Sequence, residues 1–257
     1  MILNSLLIIV GIVMVLWGAD RLTEGASSIA RHFNVPEIVI GLTIVAGGTS
    51  APELFVSVVS ALNRTPDLAV GNVVGSNIMN TLLIVGVTAM VAPMTVSRST
   101  VFKDIPFSAI ASVLLIVLCL DTFSSLTLSG NTISRTDGFI LLLAFTLFMI
   151  YTFRVTKKSE APKHEEQKAT LPIVKCLFYI LIGLAGLIIG SNTFVSSASM
   201  VAEYLGVSQS IIGLTIVAGG TSLPELATSV VAARKGQSAL AIGNVIGSNV
   251  FNILLIL

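Results

Sequence analysis

Apolar residues fall in long continuous runs along this chain, with polar residues gathered between them and almost none inside. Runs can be read at roughly 2–19, 38–62, 69–92, 105–121, 137–153, 172–201, 209–233 and 239–257. Each is close to the about 20 residues that a helix needs to cross a hydrocarbon core. The shorter, alternating segments of a membrane β-barrel are absent from the pattern, and a backbone in lipid must satisfy its own hydrogen bonds. The pattern therefore predicts an all-α integral membrane protein of eight spans. Composition agrees, with 54% hydrophobic and 11% charged residues against about 25% charged in soluble domains. The first run has no positive charge before it and leads directly into further spans, so it is read as a retained helix, not a signal peptide.

Charge placement adds a direction. Of the 14 Lys and Arg residues, all but Arg64 and Arg135 fall on one side of the predicted spans. Because basic loops stay in the cytoplasm, the N-terminus is expected outside and the 154–175 loop in the cytoplasm of a plasma (inner) membrane. The stretch 156–171 mixes charges without a hydrophobic core and reads as a linker. Cys119, Cys176, His32 and His164 show neither zinc spacing nor a disulfide pattern.

Two charged residues break the rule that charges stay out of the runs. "GLTIVAGGTSAPE" (41–53) places Glu53 deep in an apolar stretch, and "GLTIVAGGTSLPE" (213–225) places Glu225 the same way. A second block recurs at the same offset of 172 residues, "GNVVGSNIMNTLLI" (71–84) as "GNVIGSNVFNILLI" (243–256). Five spans precede the second copy, and an odd number turns it upside down in the membrane. The expectation is an inverted-repeat helical bundle with units 1–155 and 172–257. Inverted repeats of this kind typify secondary transporters, with sites at the midplane where helices are interrupted.

A charge at the centre of a spanning helix costs about 2.5–3.5 kcal/mol on insertion scales, so two demand a use. Pro52 and Pro224 cannot donate to the carbonyls of Gly48 and Gly220, which leaves those oxygens free. Thr49 or Ser50, Glu53 and Ser57 share a helix face with Ala46; Asn72, Ser76 and Asn80 line another, repeated as Asn244, Ser248 and Asn252. The alternative reading of the second block is packing alone, through Gly71-x-x-x-Gly75 and Gly243-x-x-x-Gly247. Together the blocks offer carboxylate, carbonyl, hydroxyl and amide oxygens, without sulfur or imidazole. That set suits Ca²⁺ or Na⁺, not zinc or copper, and the two charges balance one Ca²⁺ or two Na⁺.

At these residues the chain resembles the prokaryotic sodium/calcium exchanger family of the calcium/cation antiporter superfamily. The resemblance implies ten spans, of which eight lie in this chain, and Na⁺/Ca²⁺ antiport by alternating access. It also implies Glu53 and Glu225 as the shared carboxylates, with Thr49 and Thr221 adding backbone and hydroxyl oxygens. Ala46 and Ala218 would add carbonyls, Ser76 and Ser248 hydroxyls for flanking Na⁺, and Asn80 and Asn252 the middle of the site. Some members carry Asp where Asn252 stands. In the reading that follows, the first and sixth spans, with Gly18 and Gly190, slide or rock against the rigid core that carries the sites. The alternatives are a proton-coupled calcium antiporter and an inactive, truncated exchanger. Ca²⁺ and Na⁺ would be cargo, with no organic cofactor, and the partners would be lipid and the cations, with no nucleic acid and no obligate protein. Nothing in the motifs points to an enzyme.

Overall fold

The computed structural model describes residues 1–120, 133–158 and 171–257. All regular structure among them is helical. We number the helices α1 (Ile2–His32), α2 (Glu37–Thr49), α3 (Ala51–Leu62), α4 (Pro66–Val91) and α5 (Thr100–Cys119). They continue with α6 (Arg135–Lys158), α7 (Ile173–Tyr204), α8 (Thr215–Thr221), α9 (Leu223–Arg234) and α10 (Ser238–Ile256). Six helices are long and apolar enough to cross a membrane, or up to eight if the bent pairs α2–α3 and α8–α9 each count as one span. The apolar faces of α1 (Leu3, Leu6, Val10, Val13) and α6 (Phe139, Leu143, Leu147) are exposed, as lipid-facing surfaces should be.

The longest helices, α1 and α7, form one antiparallel unit. Gly11, Gly18 and Gly25 recur every seven residues, which keeps them on one stripe, and they meet Gly190, Gly183 and Cys176 in reverse order. A Cβ on Gly18 would lie 2.7 Å from the Gly183 carbonyl, and one on Gly183 would lie 2.6 Å from the Leu22 amide. Backbones this close leave no room for a side chain, the device that membrane helices use where lipid removes any hydrophobic drive to associate. Gly18 and Gly190 therefore fasten α1 and α7 to each other. Helix α1 also runs further than the apolar run, to His32. Its charged stretch is held by Lys235, whose Nζ lies 2.7 Å from Asp20 Oδ1 and donates to Thr23 Oγ1 at 2.9 Å.

The bends fall where Pro52 and Pro224 predict them, 47° between α2 and α3 and 54° between α8 and α9. Ser50 and Ser222 leave the helical region at each break, with ψ of 7° and 5°. Each signature block also contains a π turn: Gly41–Val45 and Met79–Ile84, then Gly213–Val217 and Asn252–Ile256. Such turns insert a residue into the helical register and re-aim the side chains beyond it.

The two copies of the second block pack differently. Gly243 and Gly247 sit against α2, where added Cβ atoms would meet the Ile38 and Leu42 carbonyls at 2.6 and 2.7 Å. Gly71 and Gly75 have open space around them. Among the described residues the glycine packing motif is engaged in the second copy and not in the first.

Candidate functional site

The polar side chains of the two blocks converge where the four half-helices α2, α3, α8 and α9 meet α4 and α10. Glu53 and Glu225 start α3 and α9, just past the breaks. They are 0% and 1% exposed, and among the described residues neither has a basic partner. The serine at each break crosses to the other repeat: Ser50 Oγ donates to Glu225 Oε1 at 3.2 Å, and Ser222 Oγ to Glu53 Oε1 at 3.5 Å. Ser76 Oγ adds a second bond to Glu53 Oε1 at 3.4 Å.

Helices α4 and α10 hold the broken helices by their first asparagines. Asn72 Nδ2 donates to the Glu53 carbonyl at 3.2 Å and to Ser57 Oγ at 3.4 Å. Asn244 Nδ2 repeats this with the Glu225 carbonyl at 3.3 Å and Ser229 Oγ at 3.1 Å. Asn244 Oδ1 also accepts from Thr49 Oγ1 at 3.0 Å, and Thr49 lies 3.5 Å from Ser248 Oγ. Asn244 is fully buried, so an Asn244→Ala variant strands several polar groups at about 1–3 kcal/mol each. Thermal unfolding in detergent is expected to show a fall of several degrees, larger than for Asn72→Ala, since Asn72 is only half-buried.

One helical turn on, a second layer of amides crosses between repeats. Asn80 Nδ2 donates to Asn249 Oδ1 and Asn252 Nδ2 to Asn77 Oδ1, both at 3.0 Å. These bonds take the amide hydrogens and leave the amide oxygens over. Glu53 Oε2, Glu225 Oε2, Asn80 Oδ1 and Asn252 Oδ1 are all buried without a hydrogen-bond partner. Buried acceptors normally find donors; among the described residues Gln237 Oε1 and the hydroxyls of Thr88, Ser199 and Thr228 also lack a partner, but these four oxygens form two pairs related by the repeat. Among the described residues no three His, Cys, Asp or Glu side chains gather, so two carboxylates are set among neutral oxygens.

The expected residues are not all equally placed. Ala46 and Thr49 are buried, as are Ser76, Ser248, Asn80 and Asn252. Ala218 is exposed and Thr221 half-buried, with Thr221 Oγ1 bonded to its own Ala218 carbonyl at 3.1 Å. Of the carbonyls freed by proline, that of Gly220 receives Ser191 Oγ at 2.6 Å, which spends one of its lone pairs. The repeat places Ala19 at the equivalent point of α1, so Gly48 gains no such donor there.

A model of the sodium/calcium exchanger protein family matches residues 3–154 and 175–257. The chain belongs to the sodium/calcium exchanger family. It is 34% identical over 284 residues to "Sodium/calcium exchanger MaX1" of Methanosarcina acetivorans, covering 99% of this chain and 81% of that one. It is 37% identical over 265 residues to "Inner membrane protein YrbG" of Escherichia coli, covering 100% and 79%. Among solved structures, the sodium-calcium exchanger NCX_Mj superposes with a TM-score of 0.82 at 32% identity, covering 98% of this chain and 79% of that one. This exchanger-family member is thus a multi-span helical membrane protein of a transporter family whose cargo is cations.

Sequence reasoning about this exchanger missed Asn77, Asn249, Ser222 and Ser229 as structural parts of the site. Asn77 and Asn249 fall three residues before Asn80 and Asn252 on a helix, hence on the same face. That spacing was readable, but whether those side chains face the other repeat or lipid depends on how the helices are turned.

Proposed function

We propose that this protein exchanges Na⁺ for Ca²⁺ across the plasma membrane by alternating access, with Glu53 and Glu225 as the carboxylates that the two ions share. The observation that carries the reading is the set of four buried oxygens without donors, on Glu53, Glu225, Asn80 and Asn252. An oxygen kept free of hydrogen-bond donors in a dry site is a ligand for a hard cation. Ca²⁺ takes six to eight such oxygens; in this reading Ser76 and Ser248, on the helices of Asn80 and Asn252, and Ala46, Thr49, Ala218 and Thr221, on the half-helices just before the breaks, complete the shell. Two carboxylates neutralise one Ca²⁺ or two Na⁺, so occupancy by one ion expels the other. In this reading residues 1–155 and 172–257 are the inverted units, the N-terminus lies outside and the 154–175 loop lies in the cytoplasm.

The test is ⁴⁵Ca²⁺ uptake into Na⁺-loaded proteoliposomes diluted into Na⁺-free buffer. Uptake is expected to require internal Na⁺ and to collapse when K⁺ or choline replaces it. Uptake driven equally by an outward proton gradient without Na⁺ would support proton coupling instead.

A further inference from the structure

Beside the site lies a cavity of about 600 Å³ between α4, α5, α9 and α10, lined also by Met94 and Val96 of the 92–99 connection. Its walls are largely apolar, yet Thr81, Thr88, Ser108, Ser112, Ser229 and Asn249 all line it. Thr88 is 1% exposed and its hydroxyl has no partner among the described residues. A space of this size with several hydroxyls and amides along it meets the conditions for holding water, where a dry cavity would be apolar throughout.

Two observations connect the cavity with the cation site. Ser229 lines it and takes its hydrogen bond from Asn244, whose amide also holds the Glu225 carbonyl. Asn249 lines it as well: its Oδ1 accepts from Asn80, and its Nδ2 donates to Thr81 Oγ1 at 3.0 Å. Asn80 is one of the four site residues with an oxygen left free, so a single amide layer stands between the cavity and the site.

The repeat places a different residue at the position of Thr81. Thr81 corresponds to Ile253, one of the few differences between the second blocks. Ile253 is 2% exposed and belongs to a packed apolar cluster with Val73, Leu141 and Phe148. The hydroxyl is found where the cavity is, and the isoleucine where the core is filled.

We propose that this cavity is a water-filled antechamber of the cation site, entered from the membrane face that bears the 92–99 connection, and that Asn249, latched by Thr81, is the gate between them. The inference rests on the reading of Glu53 and Glu225 as a cation site. Thr81 and Asn249 are positioning residues: turning the Asn249 amide away from Thr81 and Asn80 opens the layer without altering the ligands.

Two experiments test it. In a background with Cys119→Ser and Cys176→Ser, single Thr88→Cys and Ser112→Cys variants are reconstituted and treated with a membrane-impermeant, positively charged methanethiosulfonate from either face. Labelling at least tenfold faster from the 92–99 face is expected. No labelling from either face, or equal rates from both, would overturn the antechamber. The gate is tested by stopped-flow Ca²⁺ binding and release with the purified chain. Thr81→Ala removes one neutral hydrogen bond, worth about fivefold. It is expected to raise association and release rates together by about fivefold while Kd stays within twofold, and Thr81→Ser is expected to restore the parental rates. Unchanged rates, or a weaker Kd without faster association, would mean a merely structural contact and would overturn the gate. Failure of the parent chain to bind Ca²⁺ would count against the cation reading and the gate built on it, while labelling would still decide whether the cavity is a one-sided aqueous space.

Discussion

Replacing Glu53 or Glu225 by Gln is expected to act in opposite directions on binding and on folding. Each carboxylate is buried, with no basic partner among the described residues, and removing one partner of a buried charged interaction costs about 2–5 kcal/mol. Ca²⁺ affinity is therefore expected to fall on the order of 100-fold or more, and Na⁺-driven ⁴⁵Ca²⁺ uptake to vanish. Without cations, the same variants are expected to unfold at a higher temperature than the parent, because a buried charge that is costly to hold has been neutralised. A structural role for the glutamates requires the reverse, a loss of stability in cation-free detergent together with a proportionate loss of binding. Differential scanning fluorimetry with and without Ca²⁺ separates the two. The hydroxyls of Ser50 and Ser222, which cross to the opposite carboxylates, can donate to Gln as readily as to Glu, so the substitution leaves the local geometry in place.

The second large effect is expected at the α1–α7 seam. A side chain on Gly183 would begin 2.6 Å from the Leu22 amide and 2.8 Å from the Gly18 carbonyl, so Gly183→Leu meets backbone that cannot rotate aside. Overpacking in ordinary cores costs about 1–3 kcal/mol. Here both helices must separate along their length, and a loss above about 4 kcal/mol is expected. Fluorescence-detected size-exclusion chromatography of solubilised membranes should show little monodisperse protein. Gly71→Leu, which has nothing within 4 Å, should behave as the parent. Equal behaviour of the two variants would mean that α1 and α7 are not held together by their glycines. If the seam does hold, any movement between α1 and the site-bearing helices carries α7 with it, and it must break the contacts of Lys235 with Asp20 and Thr23.

The antiport reading gains its economy from the repeat. One sequence motif, used twice in opposite orientation, supplies two carboxylates from two half-helices and lets each break serine reach the other repeat's carboxylate. The asymmetries then carry the interest. Ser191 answers the Gly220 carbonyl while Ala19 offers nothing equivalent, and Thr81 faces a cavity where Ile253 fills a core.

By itself the sequence determined the helical membrane class, the broken helices and the residue types of the site. Hydrophobic runs, proline and misplaced carboxylates act locally, and their costs are the same wherever the helix packs. Glu53 and Glu225 were legible as candidates for that reason, and Asn80 and Asn252 through their helical spacing and the resemblance. Only the tertiary structure decided which faces meet. The pattern G-x-x-x-G reads identically at 71–75 and 243–247, yet only Gly243 and Gly247 are pressed against another backbone. Gly18 and Gly190 could have faced the core but face each other's helices, because a glycine stripe records close approach without naming its partner. Asn77 and Asn249 share a helix face with Asn80 and Asn252, but their cross-repeat bonds depend on the rotation of α4 against α10. Periodicity fixes a side chain's place on its own helix; the apolar packing of all the helices together fixes what it touches.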